Sequence, residues 1–195
     1  VEADKLLERD AGLAGPPQAI GPAGIKAQAL RDGLAYWSAR RRGGRLPARA
    51  DLDPTDIPRL LPHVELSEVV DGGRDFRFRL VGSHLVDTDG VNPTGALLSG
   101  FFRNTTYTAY QFGLYRWVVA HRAPLYSGSR VPLLSRGGGL AVLTERLYLP
   151  LASDGETVDM ILNFQVCEGM AHAQLQLENA LDPKHGESFL YAIQA

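Results

Sequence analysis

Two runs late in the chain constrain the fold more than any other feature. Leu140 to Leu151 and Val158 to Cys167 both read as extended, and Ser153-Asp154-Gly155-Glu156 lies between them. Successive side chains of a strand point to opposite sides, so Val158, Met160, Leu162, Phe164 and Val166 share one face. An Asp-Gly step supplies the positive backbone angles of a tight turn. The spacing predicts a long antiparallel hairpin with an apolar side that something else must cover.

The remaining elements follow from the same periodicities. Val64 to Val70 and Phe76 to Val81 are two more extended runs, joined by Asp71-Gly72-Gly73-Arg74, and Leu125 to Leu134 is a third. In the second of these, Phe76, Phe78 and Leu80 are expected on one face, with Arg77 and Arg79 on the other. Ala27, Leu30, Leu34 and Trp37 recur at helical spacing between Ile25 and Arg42, and Gly43-Gly44 ends the run. That stripe either packs on the domain or pairs with its copy in a dimer. Asp53 caps a short turn that Pro54 opens and Pro62 closes. Residues 83 to 104 alternate apolar clusters with Asp89-Gly90, Asn92-Pro93, Gly95 and Ser99-Gly100, a pattern of short turns. A longer helix is predicted from Thr106 to His121, with Tyr107, Tyr110, Leu114, Trp117 and Val118 along it and Pro124 at its exit. Residues 10 to 24 are rich in Gly, Pro and Ala and oppose regular structure, whereas Phe189-Leu190-Tyr191 suggests a terminal helix that docks back.

In order these elements are a helix, two strands, short helices, a longer helix and three strands. Tyr36-Trp37, Leu46-Pro47-Ala48-Arg49, Asp53-Pro54 with Ile57-Pro58-Arg59-Leu60-Leu61-Pro62, and Phe78-Arg79-Leu80-Val81-Gly82 carry more specific information. So do Glu145-Arg146-Leu147-Tyr148-Leu149-Pro150-Leu151, Asp154-Gly155 and Val158-Asp159-Met160. Together they resemble a bacterial family of stand-alone PAS-like proteins. The resemblance implies an α+β fold, a PAS-like five-stranded antiparallel sheet covered on one face by helices, with an N-terminal helix outside the core. It also implies a sensory or signalling role without a fixed ligand or catalytic set. The expected organisation is a flexible leader (1–24), the N-terminal helix (25–45), the PAS-like domain (46–168) and a C-terminal extension (169–195).

Catalytic readings find little support in the residues. The single cysteine, Cys167, excludes an intramolecular disulfide and any cysteine-based zinc cage, and its strand setting suggests an inert thiol. A flavin photosensor of the PAS class would need a reactive cysteine ahead of the long helix. His63, His84, His121, His172 and His185 lack paired metal-ligand spacing, and His121 reads better as a helix-end group than as a haem ligand. Gly137-Gly138-Gly139 lacks the setting of a phosphate loop and suggests a hairpin tip beside Arg136. Asp51, Asp53, Asp87 and Asp89 fall in capping or loop contexts. A net charge of −2 gives no general attraction to nucleic acid or anionic lipid, and Arg40-Arg41-Arg42 with Arg45 reads as a solvated helix end.

The reading that remains is a non-catalytic cytoplasmic sensor with no membrane segment, no nucleic-acid partner and no metal, its cofactor unknown from the sequence. Aromatic walls with a few polar anchors suit a small amphipathic or acidic ligand, so Arg79, Tyr107, Tyr110, Trp117, Arg146 and Asn163 are the candidate ligand-binding residues. Glu145 and Arg146 must face opposite sides of a regular strand. Leu30, Leu34 and Trp37 are the candidate homodimer contacts, and a signalling protein such as a histidine kinase is the expected partner. A ligand-free interaction module and a small-molecule enzyme are the alternatives.

Overall fold

The computed structural model describes residue 13 and residues 15–102, 105–132, 141–167 and 189–194. The expected glycine hairpin tip, His172 and His185 lie outside the described residues. Within them, helix α1 (Gln28–Ser38) precedes strands β2 (Val64–Val70) and β3 (Asp75–Val81). Helices α2 (Ser83–Asp89), α3 (Leu98–Phe101) and α4 (Thr105–His121) lead to strands β4 (Leu125–Pro132), β5 (Ala141–Leu151) and β6 (Met160–Cys167). Short strands β1 (Gln18–Ile20) and β7 (Phe189–Ile193) stand at the two ends of the chain. No helix among the described residues is long and apolar enough to cross a membrane.

All seven strands form one sheet in the order β1-β7-β4-β5-β6-β2-β3. This corrects the expected five-stranded antiparallel sheet: the sheet has two further strands, and β1 runs parallel to β7. The reason is pairing that is invisible locally. Gln18-Ala19-Ile20 is too short to show a period, but β7 offers it an edge. Phe189, Tyr191 and Ile193 alternate as a strand, not a helix, because β4 supplies the partner, with Tyr126 opposite Tyr191 and Gly128 opposite Phe189. The Phe189 ring lies where a β-carbon on Gly128 would stand, 2.2 Å away, so a glycine is what lets that ring close over β4.

The late hairpin forms with Leu149 opposite Leu162 and Tyr148 opposite Asn163, and it pairs with β2 through β6 in the same sheet. Its turn is held by the Asp154 carboxylate, which accepts the Glu156 and Thr157 amides at 2.7 and 2.6 Å, with Gly155 at φ +78°. These bonds hold the Asp154 carboxyl down, at a pKa of about 2.

Both faces of the sheet are covered, which corrects the expectation of a single covered face and of an outlying first helix. α1 lies on the face of Leu147, Leu149, Leu162 and Phe164. Leu30, Leu34 and Trp37 are 0%, 3% and 0% exposed there, and the Trp37 indole donates to the Pro150 carbonyl at 2.8 Å. The stripe that suggested a dimer contact is thus covered by the protomer's own sheet. Burying each such side chain contributes about 1.5–3 kcal/mol, so this helix is part of the core. Gly33 makes the approach possible, since a β-carbon there would stand 2.6 Å from the Phe164 ring.

On the other face α4 crosses the sheet, with Tyr115 edge-on to Tyr148 at 5.4 Å. One predicted alternation fails on β3. Leu66 pairs with Leu80 but Ser67 pairs with Phe78, so Arg79 is the extra residue of a β-bulge. The bulge leaves Phe76 and Phe78 under α3 and α4 and sends Leu80, 42% exposed, to the α1 side.

Candidate functional site

Between the sheet and helices α2 to α4 lies a cavity of about 20 Å³, whose polar lining includes Glu65, Asp89, Tyr107, Gln111, Arg146 and Asn163. Phe78, Phe101 and Phe102 supply apolar wall. The volume suits a water molecule or two, so anything larger must spread the walls.

The fold brings these groups together for a simple reason. Arg146 and Tyr148 sit on the opposite face of β5 from Leu147 and Leu149, as do Asn163 and Gln165 on β6 relative to Leu162 and Phe164. The same alternation turns Glu145 away from Arg146, where it accepts from the Tyr126 hydroxyl. Tyr107 and Gln111 are one helical turn apart on α4 and reach the same strands.

Arg146 is the centre of the arrangement. It is 1% exposed, and its guanidinium donates from Nε to Gln165 Oε1 at 2.8 Å, from Nη1 to Ser129 Oγ at 3.1 Å and from Nη2 to the Tyr107 hydroxyl at 3.0 Å. All three partners are neutral. Among the described residues no carboxylate forms an ion pair with it. A guanidinium stays protonated at any physiological pH, so the cavity wall carries a buried charge with no direct ion pair.

Two carboxylates stand nearby. Glu65 accepts from the Tyr115 hydroxyl and from Ser67 Oγ at 3.1 Å; burial pushes its carboxyl up, against those bonds and the charge of Arg146. Asp89 closes α2. Burial raises its pKa from 3.8 to about 7, with Arg146 opposing and Glu65 adding to the rise. Its position at a helix C-terminus is also the wrong end of the dipole for an anion. Asp89 Oδ1 is buried and without a hydrogen-bond partner, and so is Asn163 Oδ1. Both atoms are acceptors.

Three of the six sequence-predicted residues, Tyr107, Arg146 and Asn163, therefore line the cavity. Tyr110 is buried just behind it, its ring 6.4 Å from that of Tyr107. Trp117 lies farther along α4, stacked on His121 at 4.2 Å. Arg79 is exposed on the bulge, within 3.8 Å of the Glu68 carboxylate. Sequence reasoning passed over Glu65, Gln111, Ser129 and Gln165, and it read Asp89 as a loop residue. For Asp89 a signal existed: an acid in the last turn of a helix breaks a local rule, and such breaks concentrate at functional sites.

Elsewhere the chemistry is quiet. His121 is exposed, its ring 2.9 Å from the Trp117 carbonyl of its own helix. The rings of His63 and His84 meet at a tilt with centroids 4.4 Å apart, and no cluster of three potential metal ligands occurs among the described residues. Burial pushes the Cys167 thiol up, away from a reactive thiolate. Arg40 is tied to Asp56 and to the Tyr36 carbonyl, and Arg45 to the Asp154 carbonyl, so that basic run fastens α1 to neighbouring loops.

No curated protein matches the chain. A family model described as PAS domain matches residues 25–164, a range that takes in α1, strands β2 to β5 and the first part of β6 and leaves β1, β7 and the cavity residue Gln165 outside. The chain belongs to the PAS domain family, which is consistent with sensory or regulatory roles in general.

Proposed function

We propose that this PAS domain is a sensor that takes a small polar ligand between the sheet and α2 to α4. Arg146 anchors the ligand, and occupancy is passed to a signalling protein through the α1 side. The observation that carries the reading is the buried guanidinium with only neutral partners. A charge of this kind is expensive to bury and is met in cavities that receive a counter-charge. The small cavity adds a consequence: a ligand has to displace the wall formed by α2, α3 and the Phe101-Phe102 step. Binding is thereby linked to a change of shape, which a sensor requires. Strands β5 and β6 present Arg146 and Asn163 to the ligand on one face and Leu147 and Phe164 to α1 on the other, so a shift of either strand is felt by both.

Native mass spectrometry of the purified chain tests this. The expected result is a reproducible small-molecule adduct that is lost from an Arg146→Gln variant. Ligand-free spectra, together with no thermal stabilisation by any member of a metabolite panel, would sink the reading. That outcome would favour the second reading, a ligand-free interaction module, which the 20 Å³ volume supports because Phe101, Phe102 and Tyr107 already fill most of the space.

A further inference from the structure

The polar atoms of the cavity define the ligand more narrowly than its size does. Arg146 offers donors and a positive charge. Asp89 Oδ1 and Asn163 Oδ1 offer acceptors, buried and unpartnered. Asn163 stands opposite Glu65 across the strand pair and its side chain helps hold that carboxyl down, while Asn163 Oδ1 is the atom in want of a donor. The Glu65 carboxylate is itself engaged by Tyr115 and Ser67. Asp89 and Arg146 line the same cavity but do not meet as an ion pair, so a gap separates the positive from the negative wall.

Simple ligand classes meet only half of this arrangement. A carboxylate alone would satisfy Arg146 and set a second negative group beside Asp89, leaving both orphan acceptors unmet. An amine alone would satisfy Asp89 and Asn163 and crowd the guanidinium. A group carrying an anionic acceptor and a cationic donor on adjacent atoms meets both walls and leaves the charge of the site unchanged.

We propose that the ligand is a small zwitterion of the α-amino acid type, its carboxylate on Arg146 and its ammonium shared by Asp89 and Asn163 Oδ1, with the side chain directed at the Phe101-Phe102 wall. The proposal rests on the sensor reading above. Its test compares whole molecules that differ by one charged group.

The purified chain is titrated by calorimetry and thermal shift with the twenty proteinogenic amino acids, each beside its des-amino acid and its decarboxylated amine. At least one amino acid is expected to bind about tenfold or more tightly than either partial analogue, the loss that removal of one charge-assisted hydrogen bond brings. Asp89→Asn keeps the shape of the side chain. It is expected to weaken the amino acid by about tenfold to a hundredfold and not to weaken the des-amino acid, whose carboxylate is relieved of a like charge, with an unchanged circular dichroism spectrum as the check on folding. A des-amino acid that binds as well as the parent overturns the zwitterion and leaves the sensor reading standing. So does an adduct of other chemistry in native spectra while no amino acid binds. The absence of any ligand, in both the titrations and the spectra, overturns the two together.

Discussion

The Asp89 carboxyl offers a measurement that depends on the burial described above and on little else. Its pKa rises from 3.8 in an unfolded chain to about 7 in the fold, chiefly because burial disfavours the charge. A raised carboxyl pKa means that the folded state holds the proton more tightly than the unfolded state. Stability is therefore fully present below about pH 4 and is lost as the pH rises toward about 7, after which it stays level. Each pH unit of the rise is worth about 1.4 kcal/mol, so the ionised carboxylate destabilises the fold by at most about 4 kcal/mol at pH 8. Against a total of about 5–15 kcal/mol for a domain, that is easily seen. Asn has nearly the same shape and no proton to lose. Urea unfolding of wild type and Asp89→Asn between about pH 4 and pH 8 should show near equality at the acid end, with the variant gaining up to about 4 kcal/mol at the alkaline end. Taking the difference between the two proteins cancels the titrating groups that do not interact with Asp89, including Asp154, whose lowered pKa acts in the opposite sense. A difference that stays constant across this range would refute the buried, unpartnered placement of Asp89.

Other perturbations read the packing directly. Gly82→Ala would drive a β-carbon to 2.3 Å from the Pro62 carbonyl oxygen, which backbone cannot yield, so urea unfolding should show a loss of about 2–3 kcal/mol or more. At Gly33 the neighbour is the Phe164 ring and the helix gains about 1 kcal/mol from alanine, so Gly33→Ala should cost a net ~1–2 kcal/mol by the same assay. Trp37→Phe removes the bond to Pro150 and some volume while keeping an aromatic ring, for an expected loss of about 1–3 kcal/mol in thermal or urea unfolding. Arg146→Met breaks no ion pair, because the hydrogen-bond partners of the guanidinium are neutral, and relieves a buried charge; the ligand-free stability should change by less than about 2 kcal/mol. A loss above about 4 kcal/mol would show the guanidinium to be a structural keystone instead of a ligand anchor.

The parts of this fold that were legible in the sequence are those whose signal is local. The alternation of β6, the turn at Asp154-Gly155 and the helical stripe of Leu30, Leu34 and Trp37 each declare themselves within a dozen residues. What the stripe packs against could not be read, because an apolar face specifies that it is covered and not by what; Gly33, the residue that sets its distance to the sheet, has no side chain to register in a period. Short strands at the chain ends were missed for the same reason: β1 has three residues and exists because β7 is beside it. On β3 one inserted residue moved Leu80 off the face of Phe76 and Phe78, while Arg77 and Arg79 both still reach Glu68, and nothing in Phe-Arg-Phe-Arg-Leu announces a bulge. The site followed suit. Arg146 could be named as a candidate, but its inward direction depends on register, and Glu65, Ser129 and Gln165 become its neighbours only through pairing across three strands.

The two faces of the sheet divide the work, and the division explains how a charge can be tolerated in the interior. On the α1 side Leu147, Leu149, Leu162 and Phe164 pack with Leu30, Leu34 and Trp37 in one buried apolar cluster, which stabilises strands β5 and β6. The opposite face of the same strands is then free to carry Arg146, Tyr148, Asn163 and Gln165, groups that stabilise poorly and recognise well. Substitutions on the first face should therefore shift stability with ligand preference intact, while those on the second should alter preference at modest expense in stability. Because the faces share a backbone, a ligand that spreads the cavity wall and shifts β5 or β6 must disturb the seat of α1. The close approach of the Gly33 backbone to the Phe164 ring is what prevents the helix from ignoring that movement.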